Sequence, residues 1–185
     1  MEVQPLNEAL ARDIDAVAGV RVDDGRGAMG IRYATIRFAG REVTVKAFDR
    51  PHASLHGLPF DLRSDYPLRR GGDIFGSPRP AALVSENFVK HFGKRTGDEL
   101  TLDSPSGALQ LEIIGVVTDY ASPEGVVYLK RDLYRAYWHD PLVSVFSVMV
   151  QPGAAVTRVA DAIEAQLGGP TGLHATNHQG LRQPP

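Results

Sequence analysis

The chain has 185 residues, 43% of them hydrophobic, 23% charged and 8% aromatic, an ordinary balance for a globular protein with a sizeable core. Lys and Arg number 20 against 22 Asp and Glu, a formal charge of -2, so no basic field attracts nucleic acid. There is no cysteine, which excludes disulfides, thiolate chemistry and cysteine zinc sites and leaves the compartment open.

No stretch approaches the ~20 apolar residues that cross a bilayer; the apolar runs at 113–117 and 143–150 have the length of buried strands. Met1 is followed at once by polar Glu2 and Gln4, so no signal peptide is expected. The expectation is either a cytosolic protein or a piece of a longer chain.

In chain order, Leu6, Leu10, Ile14 and Val17 recur at helical spacing between Pro5 and Gly19, which can start and stop a helix. Residues 31–38 and 43–48 read as two strands turned at Ala39-Gly40-Arg41, a hairpin predicted to pack on that helix. Residues 50–80, rich in Pro and Gly, read as irregular and as a lobe boundary. A strand at 82–84 then leads into a helix over 86–92, with Ser85 placed as N-cap and Gly93 just beyond its end.

Paired strands are predicted at 99–102 and 108–117 around a turn at Ser104-Pro105-Ser106-Gly107. A strand at 126–129 and a helix at 131–138 follow. Residues 143–150 read as a strand buried on both faces. Val156, Val159, Ala160, Ile163 and Leu167 form one helical stripe ended by Gly168-Gly169-Pro170, with a last short strand at 173–176.

Several groups invite a chemical reading, and each has a simpler one. Gly25-Arg26-Gly27-Ala28-Met29-Gly30 fits GxGxxG with Asp49 at the expected remove, but a dinucleotide loop must open a helix, and here a strand follows. His52 and His56 have an i, i+4 spacing that could place two imidazoles on zinc, yet Pro51, Gly57 and Pro59 argue against a helix there. Ser85, His91 and Asp98 suggest a triad, but Ser85 lacks the GxSxG elbow and suits an N-cap, while Asp98 beside Gly97 suits a turn. Arg63, Arg69, Arg70 and Arg79 read as a solvated loop or, more sharply, a contact with anionic lipid. Leu133, Tyr134, Tyr137 and Trp138, followed by His139, form an aromatic stripe that reads as core, or as a partner-binding anchor at Tyr134, Tyr137, Trp138 and His139.

The order of segments resembles a known family. The opening helix into Val17-Ala18-Gly19-Val20, the stretch Ala82-Leu83-Val84-Ser85-Glu86-Asn87-Phe88-Val89-Lys90-His91-Phe92-Gly93 with Thr96-Gly97-Asp98-Glu99-Leu100, the pair Ile113-Ile114-Gly115-Val116-Val117-Thr118-Asp119-Tyr120 and Glu124-Gly125-Val126-Val127-Tyr128, and Ser147-Val148-Met149-Val150-Gln151-Pro152-Gly153 all resemble the extracytoplasmic core domains of FtsX/MacB-like ABC transporter permeases.

That resemblance implies an α+β fold: a porter-like lobe from residues 1–50 and 141–178 (helix plus hairpin, then strand–helix–strand), an inserted β-rich Sabre-like lobe at 51–140, and a loose end at 179–185. It implies a place outside the membrane between transmembrane helices of the same parent chain, an ATPase subunit or domain in the cytoplasm, and dimerisation only in the full transporter. A periplasmic adaptor, a lipoprotein or a cell-wall hydrolase would be the partner. No catalytic residue, cofactor or metal is expected, and the role is transmission of conformational change. The alternatives from other classes are a small hydrolase or metalloenzyme using His52, His56 or Ser85, and an extracytoplasmic sensor or adhesion module unconnected to transport.

Overall fold

The computed structural model describes residues 4–23, 27–49 and 74–176. The chain divides into two compact units, Met1–Gly30 with Leu142–Pro185, and Ile31–Pro141.

The second unit is organised by a mixed sheet. Strands β1 (Met29–Phe38) and β2 (Arg41–Phe48) are antiparallel, joined by Ala39 and Gly40 at φ 49° and 80°, the double left-handed turn that matches strand twist. β2 then pairs in parallel with β6 (Val126–Lys130), Thr44 opposite Val126 through Phe48 opposite Lys130. β6 runs antiparallel to β3 (Ala81–Ser85), β3 parallel to β5 (Gly107–Val117), and β5 antiparallel to β4 (Glu99–Ser104). Across this unit the order is β4-β5-β3-β6-β2-β1.

The α+β class agrees with the sequence reading. The hairpin, however, was expected with the chain ends, in residues 1–50, and is instead built into the middle unit. The reason lies in β2: Val43, Val45 and Ala47 are fully buried, and a lone hairpin has no second neighbour with which to bury them. The β2–β6 ladder supplies that neighbour.

Alternation along the strands sends Val43, Val45, Ala82, Val84, Leu111, Ile113, Val127 and Leu129 to one face, where they form a single core. Helices α2 (Glu86–Phe92) and α3 (Arg131–Trp138) cover it with Phe88 and Tyr134. Helix α2 begins and ends where its punctuation predicts. The Ser85 hydroxyl accepts from the Phe88 N–H at 3.4 Å, and Gly93 closes the last turn at φ 62° with its N–H on Val89 O.

The first unit departs more from expectation. Helix α1 is only Leu10–Asp15, because Leu6 is drawn into a bridge with Val143, with N–H···O distances of 2.7 and 2.9 Å. The run 143–150 yields a three-residue strand, β7 (Val145–Ser147), and is not buried on both faces. Val143 is buried, but Val145, Phe146, Val148 and Val150 are half-buried, since Val143 and Val150 make single bridges and no ladder. Helix α4 (Val156–Ile163) does not stop at 168–170. It widens into a π-turn at Glu164–Gly168 and continues as α5 (Gly169–Thr171), where Pro170 sits in the first turn and needs no N–H partner. Gly172 ends it at φ 68°, and residues 173–176 form no strand. Ile14, Val17, Val20, Val159, Ile163 and Leu173 make this unit's own core.

One glycine decides how β6 meets α2. Gly125 has φ 117°, and a Cβ there would lie 2.5–2.8 Å from the Cβ, Cα and N of Phe88. Gly107, at φ 107°, has open space around it. Gly125→Ala is therefore expected to destabilise the second unit by about 3 kcal/mol, and Gly107→Ala by about 1 kcal/mol. Denaturant unfolding of the two variants checks the contrast.

Candidate partner-contact surface

The aromatic helix α3 follows directly from β6, so its position is set by the sheet. Its N-terminal Arg131 is buried; the guanidinium is held by Asp49 through Nε and donates to the Pro141 carbonyl at 3.2 Å. Just past its C-terminus, Arg32 Nε meets Asp140 Oδ2 at 2.7 Å. Tyr134 is 4% exposed and lies inside, its ring parallel to Trp138 at 4.9 Å between centroids. Burial, followed by the nearby Asp140 carboxylate, raises the Tyr134 hydroxyl pKa.

Tyr134 is thus a support, and its burial removes it from direct contact with a partner. Tyr137 and Trp138 are half-buried against the same core, and His139 is exposed in the left-handed region at φ 55°. The β4–β5 turn clamps this end: the Ser106 N–H donates to Tyr137 O at 3.2 Å, and the Ser106 hydroxyl meets His139 Nε2 at 2.7 Å. The result is a pre-ordered patch of two amphipathic rings and an imidazole, the composition that favours contact hot spots.

The sequence reading missed a second feature, a buried polar cluster on the other face of the sheet. Lys46 Nζ donates to Asp119 Oδ2 at 2.6 Å, Tyr128 OH donates to the same oxygen, and the Ala121 N–H donates to Oδ1 at 2.8 Å. Lys46 lies opposite Tyr33 on β1 and Tyr128 on β6, with Nζ 5.8 and 5.6 Å from the two ring centroids. Burial pushes the Asp119 pKa up, but the hydrogen bonds from Lys46, Tyr128 and Ala121 outweigh it, and the net direction is down. Burial, and then Asp119, raise both Tyr33 and Tyr128, so both phenols stay protonated and Tyr128 donates to the carboxylate. A lysine among Val43, Thr44, Val45 and Ala47 was the available signal, because a central strand accommodates an ammonium only beside an anion.

The chemical candidates do not converge. Ser85 is fully buried; its oxygen also accepts the Val126 N–H at 2.8 Å, and its hydroxyl donates to Asn87 at 2.5 Å. His91 meets Glu124 at 2.9 Å, and Asp98 accepts from the Arg95 N–H at 2.8 Å, so the three residues serve three separate local bonds. Within the glycine motif, the amides of Gly27 and Ala28 are already taken by the Asp15 carboxylate at 2.9 and 2.5 Å, and the strand β1 follows. Asp49 is engaged with Arg131. His52, His56, Arg63, Arg69 and Arg70 lie outside the described residues, while Arg79 is exposed. Among the described residues no cluster of three or more His, Asp or Glu side chains could hold a metal ion. No helix among them is long and apolar enough to cross a membrane.

Comparison with known proteins fits this arrangement. The model of the MacB-like periplasmic core domain matches residues 2–166. The chain belongs to that family. It is an extracytoplasmic domain of an ABC transporter permease. An uncharacterized ABC transporter permease protein of Mycobacterium tuberculosis is 31% identical over 167 residues, covering 84% of this chain and 18% of the relative; the chain therefore spans under a fifth of that protein. The extracellular domain of the noncanonic ABC-type transporter YknZ from Gram-positive bacteria shares the fold with TM-score 0.58 and 16% identity, over 89% of this chain and 83% of that one. The periplasmic region of MacB from Actinobacillus actinomycetemcomitans does so with TM-score 0.57 and 10% identity, over 90% and 75%.

The buried ion pair yields two expectations for this MacB-like domain. Asp119→Asn removes the carboxylate charge that Lys46 Nζ meets and should cost about 3 kcal/mol at neutral pH, whereas the joint change Lys46→Met with Asp119→Leu should cost far less. Chemical unfolding of the single and double variants tests this. Because the folded Asp119 pKa is depressed, its stabilisation is complete above the ordinary carboxylate value near ~4 and is lost as pH falls through the folded value. Unfolding scans in acid should show a steeper loss for the unaltered chain than for Asp119→Asn.

Proposed function

We propose that the domain works by contact. It takes a conformational change from the membrane part of its permease, driven by ATP hydrolysis on a cytoplasmic ATPase subunit or domain, and passes it to an extracytoplasmic partner. No bond is made or broken within it. The observation that carries this reading is the end of α3, where Tyr137, Trp138 and His139 are presented at the surface while Tyr134, Arg131 and the Ser106 turn hold them from beneath. A patch so fixed pays little ordering entropy on binding, which is what a force-transmitting contact requires.

Family membership supports the flanking transmembrane helices and the ATPase, and pairing of two copies belongs to the whole transporter. On this reading the partner is an adaptor, a lipoprotein or a cell-wall hydrolase outside the membrane. Two compact units, each with a core of its own, suit a module that moves as solid bodies between transporter states.

The test uses the full-length permease with its ATPase in a strain deleted for the permease gene. A Tyr137→Ala, His139→Ala variant should reach wild-type levels in the membrane and keep its ATP hydrolysis. It should nevertheless lose about tenfold or more of the transporter's cellular output, as removal of a contact hot spot does. Full complementation by this variant would overturn the assignment of the contact to α3.

A further inference from the structure

The first unit contains an open-sided cavity of about 490 Å³ lined mainly by apolar side chains, with polar atoms over a substantial part of its surface. Val156, Val159 and Ile163 of α4 form one side, and Phe146 and Val148 face them across it. Among the described residues no Asp, Glu, Lys or Arg lines it; the polar side chains there are Gln4, Ser144, His174 and Thr176. Well-packed interiors leave few voids larger than a water molecule, and an engineered cavity of ~150 Å³ already holds benzene. At about 490 Å³ this space falls within the range of genuine ligand pockets.

The sequence points the same way by a separate route. The apolar run 143–150 and the α4 stripe have the composition of fully buried segments, yet Val145, Phe146, Val148 and Val150 are half-buried, and Val156 is 42% exposed. Hydrocarbon surface left open around a concave space is surface that a ligand would cover. The mouth also has a definite place: Gln4 and Leu6 at one end of the described chain, and Leu173, His174 and Thr176 at the other, both line it. The domain stands outside the membrane of its permease, where amphiphiles are at hand.

We infer that this cavity binds the acyl chain of a membrane amphiphile, with the hydrocarbon against Val156, Val159, Ile163, Phe146 and Val148 and the head group at the Gln4–His174–Thr176 mouth. The lack of charge among the described wall residues favours hydrocarbon over a charged peptide, and each methylene withdrawn from water adds about 0.8 kcal/mol, so affinity must grow with chain length. This inference needs the permease location and is independent of the contact role given to α3.

The test titrates the 185-residue chain with palmitate and with octanoate, reading binding by native mass spectrometry and by displacement of a dansylated undecanoate. Two variants accompany it: Ala160→Phe, which fills the space, and Val156→Asp, which places a charge at an exposed position on its edge. The expected result is saturable one-to-one binding of palmitate, at least roughly tenfold tighter than octanoate, and weakened by at least about tenfold in each variant whose thermal melt matches the unaltered chain. A palmitoyl lysolipid should compete for the same site. No saturable binding, equal affinity for the two chain lengths, or affinity unchanged in both variants would overturn the proposal. So would a concentration-dependent dimer abolished by Val156→Asp, because the cavity would then be covered by a second copy.

Discussion

The second unit depends on the double-sided pairing of β2. This strand is held antiparallel by β1 and parallel by β6, and it carries both the core face, through Val43, Val45 and Ala47, and the buried ammonium of Lys46 on the reverse. The parallel ladder places Lys46 beside Tyr128, and Tyr128 and Lys46 together fix Asp119, from which the following loop returns to α2 and β6. The same β6 continues without a break into α3, so the aromatic patch inherits its position from that one ladder.

A patch supported in this way differs from an aromatic stripe that is simply core. Tyr134 contributes its area to the interior, whereas Tyr137, Trp138 and His139 are held at the surface by a turn from a different strand pair. The chemistry that the sequence seemed to offer is used for construction instead. Ser85 caps a helix and receives the β6 amide, Asp15 gathers the glycine-loop amides, and His91 and Arg41 share Glu124.

Local punctuation was legible to the residue. Ser85 and Gly93 bounded α2, residues 131–138 were read as the α3 helix, and the turn at Ser104-Pro105-Ser106-Gly107 marked the β4–β5 hairpin. What could not be read was pairing across distance. Thr44 meets Val126 and Lys46 meets Asp119 across more than seventy residues of chain, and parallel ladders carry no turn signal, so the hairpin's true neighbour was invisible. The segment 143–150 failed for the opposite reason. Its composition signals burial, but burial depends on which surfaces arrive, and in this unit a cavity occupies part of that space. Of the expected contact residues, Tyr134 was misplaced because helical spacing identifies a stripe but not which of its members the sheet will cover.

The proposed transmission of conformational change requires the second unit to move as a solid body, and hydrogen exchange on the intact permease with its ATPase tests that directly. With ATP and without it, the amides of β2, β6 and β3 should remain equally and strongly protected, with any difference confined to surface segments such as the end of α3. Nucleotide-dependent loss of protection within the β2–β6 ladder would show that the sheet itself opens during the cycle, and the account would be wrong.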